Sequence, residues 1–181
     1  KTTFATVANE AGLRVRFMVG NTPLLHARST PSNLINEAIK YDLSTLVLHY
    51  FMQSITPSTV RKLVQQAQPH GIDVHILMPV PVWPQSVPEN LYMNASTGVA
   101  LPTQTVGDYA HKYLEYRESL AAIAGLTIYE TSDVLCAPDC RLVTDTGEPI
   151  YFDRDHLTLS GSRLLRPRMN EMISLIATNK K

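Results

Sequence analysis

The sequence predicts an α/β protein built on a parallel, doubly wound sheet. Three observations carry that expectation. Residues 45–51 (TLVLHYF) and 72–80 (IDVHILMPV) are near-continuous apolar runs, the pattern of strands buried on both faces of a parallel sheet. Helical patterns separate such runs, so strand and helix alternate along the chain. A length of 181 residues suits one domain with one sizeable core, and the whole chain, residues 1–181, is read as a single domain.

Taken in order, residues 3–11 read as the tail of a helix closed by Gly12. Residues 13–19 alternate Leu, Val, Phe and Val with Arg14, Arg16 and Met18, a strand with one face less buried. Gly20-Asn21-Thr22-Pro23 breaks it; Asn21 is a candidate to line a site, and equally a turn residue. Residues 32–41 form a short helix with Ser32 as N-cap, and His49 in the following strand reads as a satisfied core histidine. Pro57 opens the next helix in its first turn, and residues 65–70 close it before Gly71.

Residues 81–105 are rich in Pro, Ser, Asn and Thr and show no regular period, which predicts a long excursion serving as a lid or substrate loop. Within it Trp83, Tyr92 and Met93 either stack against a sugar ring or pin the loop to the body. Residues 108–124 are an amphipathic helix with Tyr109, Tyr113, Leu114, Tyr116, Leu120 and Ile123 available for burial. A strand at 126–130, a helical turn at 132–135 and a last helix at 161–179, interrupted at Pro167, complete the chain.

Sixteen basic residues balance sixteen acidic ones, which argues against a polyanionic partner and excludes nucleic acid as an expectation. No apolar run approaches the roughly 18 residues needed to span a bilayer. Cys136 and Cys140 are the only cysteines and enclose Ala-Pro-Asp. That spacing fits a small disulfide-closed loop; half of a metal site and two free thiols are the alternatives. No second Cys or His pair lies nearby to complete a zinc set. A disulfide would place the chain in the periplasm or on an extracellular face.

The chemistry concentrates in residues 151–162, YFDRDHLTLSGS. Asp153 precedes His156 by three residues, so in a turn its carboxylate can fold back onto Nδ1. It would then fix the tautomer and stabilise the imidazolium formed when Nε2 takes a proton. Asp155 is a second possible partner, though an immediate neighbour usually points elsewhere.

The C-terminal third resembles the SGNH-hydrolase domain fused behind acyltransferase-3 membrane domains, the bacterial enzymes that O-acylate surface polysaccharides. The matching residues are Cys136 and Cys140 in LCAPDC, Gly147 and Pro149 in TGEPIY, then Tyr151, Asp153, His156, Leu157 and Gly161. The resemblance implies a three-layer α/β/α, flavodoxin-like fold and a Ser-His-Asp mechanism with His156 as base and Asp153 as its orienter. It implies an acyl group, commonly acetyl, delivered by an acyltransferase-3 transmembrane domain of the same polypeptide. The acceptor would be lipopolysaccharide or another envelope glycan, the location the periplasmic side of the inner membrane, with neither metal nor organic cofactor.

In that family the nucleophile is the Ser of a Gly-Asp-Ser block after the first strand, and no Gly-Asp-Ser occurs here. The central first strand and its serine are therefore expected upstream of Lys1, and residues 1–181 are not expected to fold alone. The Asn that SGNH enzymes use as an oxyanion donor is also missing, since the corresponding stretch reads LHYFMQS. Asn21, Tyr50 and Trp83 are the candidates for substrate or oxyanion contact. An acetylesterase of the same fold and a non-catalytic glycan-binding domain are the other functions open to such a chain.

Overall fold

A computed structural model describes residues 2–18, 30–51 and 55–178. The chain forms two compact units. One comprises Lys1–Phe17, Val80–Lys112 and Thr131–Lys181; the other comprises Met18–Pro79 and Tyr113–Glu130.

The second unit holds the sheet. Strands β1 (Thr45–His49), β2 (Asp73–Leu77) and β3 (Leu126–Tyr129) are parallel and lie in that order. Leu48, Ile76 and Ile128 share one row of the register. The central strand is buried from Val74 to Leu77, where each large apolar side chain contributes about 1.5–3 kcal/mol. β1 differs from the expectation. It stops at His49, and only Leu48 is buried. An edge strand among the described residues has a neighbour on one side alone, so it is not covered as a central strand is. His49 is correspondingly exposed, not a core residue, and its Nδ1 lies 3.1 Å from the Leu77 carbonyl.

Two helices of this unit begin in the same way. Thr30 caps α2 (Pro31–Lys40) by accepting from the Asn33 N–H at 3.2 Å, and Thr56 caps α3 (Pro57–Ala67) from the Thr59 N–H at 3.2 Å. In both, proline fills the first turn, where a missing N–H is harmless. The cap of α2 is thus Thr30 and not Ser32; Ser32 instead donates to Gln66 on α3. A 3₁₀ turn, Gln68–His70, follows α3.

The other unit is helical and carries the irregular segments. α1 (Thr2–Glu10) meets α7 (Leu159–Leu164) and α8 (Arg166–Thr178) through Thr3–Ser162 hydroxyls 2.7 Å apart and a two-pronged Arg166–Glu10 pair. The break between α7 and α8 falls beside Pro167, as expected. Residues 13–18 are not a strand: among the described residues no strand pairs with them, and Val15, Phe17 and Met18 are exposed. Alternation alone supplies no ladder partner. Val19 and the turn with Asn21 lie outside the described residues.

Residues 81–105 are more regular than their composition predicts. Val87–Thr97 form α4, opened by Pro88 in the first turn and closed by Gly98 in the left-handed conformation, φ 74°. α5 spans Val106–Ala121. Tyr109, Tyr113 and Leu120 on it are buried, whereas Leu114 is exposed. The last segment of the first unit opens with α6, Ser132–Leu135, leading to the cysteines.

Candidate active site

Cys136 and Cys140 form a disulfide, and both are buried. The intervening loop, with a cis Ala137–Pro138 bond, is held at the start of α5. Val106 N–H donates to the Pro138 carbonyl at 2.8 Å, and Cys140 N–H to the Gln104 carbonyl at 2.7 Å. The chain then runs through the Val143↔Pro149 bridge into a small antiparallel loop closed by Tyr151↔Leu157.

That loop presents the dyad. Nδ1 of His156 lies 2.7 Å from Oδ2 of Asp153. The other carboxylate oxygen accepts from the backbone N–H groups of His156 at 2.7 Å and Asp155 at 2.9 Å. Burial acts to raise the Asp153 pKa, but these two N–H groups and the imidazole outweigh it, and the net shift is downward. An ionised Asp153 so fixed selects the tautomer with its proton on Nδ1. Nε2 has no hydrogen-bond partner among the described residues, and the His156 side chain is 67% exposed. Asp155 does not point away: its Oδ1 is 3.2 Å from the same Nδ1. Phe152 stacks on the imidazole, centroids 5.4 Å apart at 25°.

The flanks of the loop are fixed by backbone contacts. Trp83 N–H donates to the Arg154 carbonyl at 2.9 Å and Val87 N–H to the Asp153 carbonyl at 3.0 Å, so the start of α4 grips the loop. Beneath it Trp83 and Tyr151 pack edge to face, centroids 6.0 Å apart. On the far side Thr158 caps α7, accepting from Gly161 N–H at 3.0 Å and donating to the Pro149 carbonyl at 2.8 Å.

The other sequence candidates are placed differently. Trp83 is 1% exposed. It offers no face to a sugar and belongs to the pinning alternative, because its ring is spent on Tyr151. Tyr50 follows β1 in the sheet unit, half-buried, and burial pushes its phenol pKa up. Asn21 lies outside the described residues. Phe152 and Asp155 are contacts of His156 that the sequence argument passed over or set aside. Phe152 carried one signal, an aromatic ring four residues before His156.

Asp153, Asp155 and His156 also offer three ligand atoms within 4.8 Å of one another, the one such group among the described residues. Within the group Asp153 Oδ2 and Asp155 Oδ1 face Nδ1, and Asp153 Oδ1 takes two N–H groups.

The family model for the SGNH domain fused to AT3 domains matches residues 1–171. The chain belongs to this family. Among solved structures, the periplasmic domain of a lipopolysaccharide acetyltransferase from Salmonella ser. Paratyphi A aligns with a TM-score of 0.70. It is 14% identical, and the alignment covers 94% of this chain and 77% of that one. At that identity the likeness is one of fold, and the mixed α/β, SGNH-type fold expected from the sequence is the fold of this chain. No curated protein matches. No helix of the described residues is long and apolar enough to cross a membrane.

Proposed function

We propose that this SGNH domain is the periplasmic part of an O-acyltransferase that moves an acyl group, most simply acetyl, onto a hydroxyl of an envelope glycan such as lipopolysaccharide. The observation that carries the reading is the dyad: Nδ1 is committed to an ionised Asp153 while Nε2, on an exposed ring, has no partner among the described residues. That is a general base in waiting.

In this reading the nucleophile is a serine outside residues 1–181, and the donor is supplied by an acyltransferase-3 membrane domain. His156 Nε2 takes the serine proton as Oγ bonds to the acyl carbon. The bond from that carbon to the donor breaks, and the donor leaves with the proton. A sugar hydroxyl then gives its proton to Nε2 as its oxygen attacks the acyl-enzyme, and the serine departs and recovers the proton. Asp153 stabilises the imidazolium in both halves.

His156→Ala in the full-length protein tests this. Acyl groups on the purified envelope glycan, counted by NMR, should disappear while the protein stays folded, because the ring is exposed and fills no core space. Undiminished acylation in that variant would overturn the assignment. Release of free acid in place of transfer by the wild type would identify an esterase instead.

A further inference from the structure

We propose that the groove along the N-terminal half of α4 is a subsite for one sugar ring of the acceptor, with Tyr92 as its stacking platform. This rests on the acyl-transfer function above. The groove has a volume of about 620 Å³ and is lined by Gln85, Ser86, Glu89, Asn90, Tyr92 and Met93, within the range of about 300–1,000 Å³ for small-molecule sites. Tyr92 is 72% exposed and Met93 44%. On a helix, Glu89, Tyr92 and Met93 stand three and four residues apart and share a face.

The lining matches the chemistry of a sugar. A pyranose has apolar C–H faces and a fringe of hydroxyls. An exposed aromatic ring beside a thioether suits the first, and two side-chain amides, a hydroxyl and a carboxylate suit the second. Among the described residues no Lys or Arg lines the groove, so a phosphorylated or sulfated group is not what it is built to hold.

Its position suits the acceptor. Val87, at the start of the same helix, donates to the carbonyl of Asp153, the residue that orients His156. Trp83, just upstream, is bonded to Arg154 and buried against Tyr151. The groove and the dyad therefore belong to one fixed piece of backbone. Tyr92 lies five residues beyond Val87, about 7.5 Å along the helix axis.

Saturation-transfer NMR on the full-length protein tests this, with de-O-acylated polysaccharide from the producing strain's envelope as probe. Tyr92→Ala should weaken binding roughly tenfold, the scale of a lost ring contact. Tyr92→Phe should bind like the wild type because it keeps the ring. Asn90→Ala should weaken binding several-fold, and it decides the matter if Tyr92→Ala fails to fold. Wild-type affinity in Tyr92→Ala, or in Asn90→Ala where that variant decides, overturns the proposal. Binding needs no turnover. Should His156→Ala leave acylation intact, the catalytic assignment fails and the groove is still judged on its own data.

Discussion

Gly161→Ala places one methyl where the structure has no room. An ideal Cβ there would lie 2.1 Å from the Ile150 carbonyl oxygen and 2.9 Å from both the Ile150 carbonyl carbon and Cγ2. The obstacle is backbone, and Ile150 is fully buried, so it cannot swing aside. That carbonyl already accepts from Thr158 N–H at 2.9 Å. Relief requires α7 to move off the loop. Overpacking costs about 1–3 kcal/mol, the Thr158 cap about 1 and the Thr158–Ile150 bond about 1. Alanine's better helix propensity returns about 1 kcal/mol. The net is roughly 2–4 kcal/mol, or roughly 5–15 °C in Tm for a chain of this size. Gly107→Ala is the matched control. Its Cβ would meet only Thr105 Oγ1 at 3.5 Å, and its φ is ordinary, so it should be neutral or stabilise by up to about 1 kcal/mol. Thermal melts followed by far-UV circular dichroism should show a lowered Tm for Gly161→Ala and no lowering for Gly107→Ala. A wild-type Tm for Gly161→Ala, or equal losses in both, would refute the argument from close approach.

Asp153→Asn keeps the two backbone bonds at Oδ1 but can put an amide N–H against Nδ1, and acyl transfer should fall by up to about 10⁴-fold; a rate near wild type would move the orienting role to Asp155. Cys136→Ser should cost about 2 kcal/mol, since a ring this short restricts little unfolded-chain entropy, and a thiol assay on unreduced wild type should find none free. His75 is buried against Tyr129, ring centroids 5.8 Å apart, with its Nδ1 3.4 Å from the Tyr129 hydroxyl. Burial lowers its pKa, with Asp73 opposing. The unfolded chain then binds more protons just below the ordinary histidine pKa, and stability should fall as pH drops below about 6.5. Denaturant midpoints across that range should show a shallower decline in His75→Gln; identical slopes would exclude His75 as the cause.

The departures from the sequence reading have two physical origins, one local and one distant. α4 was masked because Pro, Ser, Asn and Thr are poor helix formers on average; here Pro88 sits where its missing N–H costs nothing and Gly98 supplies the stop. Residues 13–18 carry a strand's alternation, yet a ladder depends on a neighbour that no local pattern specifies. The sequence leaves both a stacking and a pinning role open to Trp83 because its partner, Tyr151, is 68 positions away. In these last two cases a distant residue decides.

The dyad was legible for the opposite reason. Its contacts span three residues: the carboxylate of Asp153 reaches Nδ1 and the N–H of His156 and the N–H of Asp155 within one turn. What the sequence could not show is why that turn stays put. The answer lies on both flanks, in α4 bonded to the carbonyls of Asp153 and Arg154, and in Gly161 letting α7 close onto Ile150. A surface loop with an exposed histidine would ordinarily sample many conformers, and loss of orientation is costly in catalysis. Here the imidazole is positioned by a local turn whose backbone is held non-locally. Removing either flank should therefore disturb the pair without touching it.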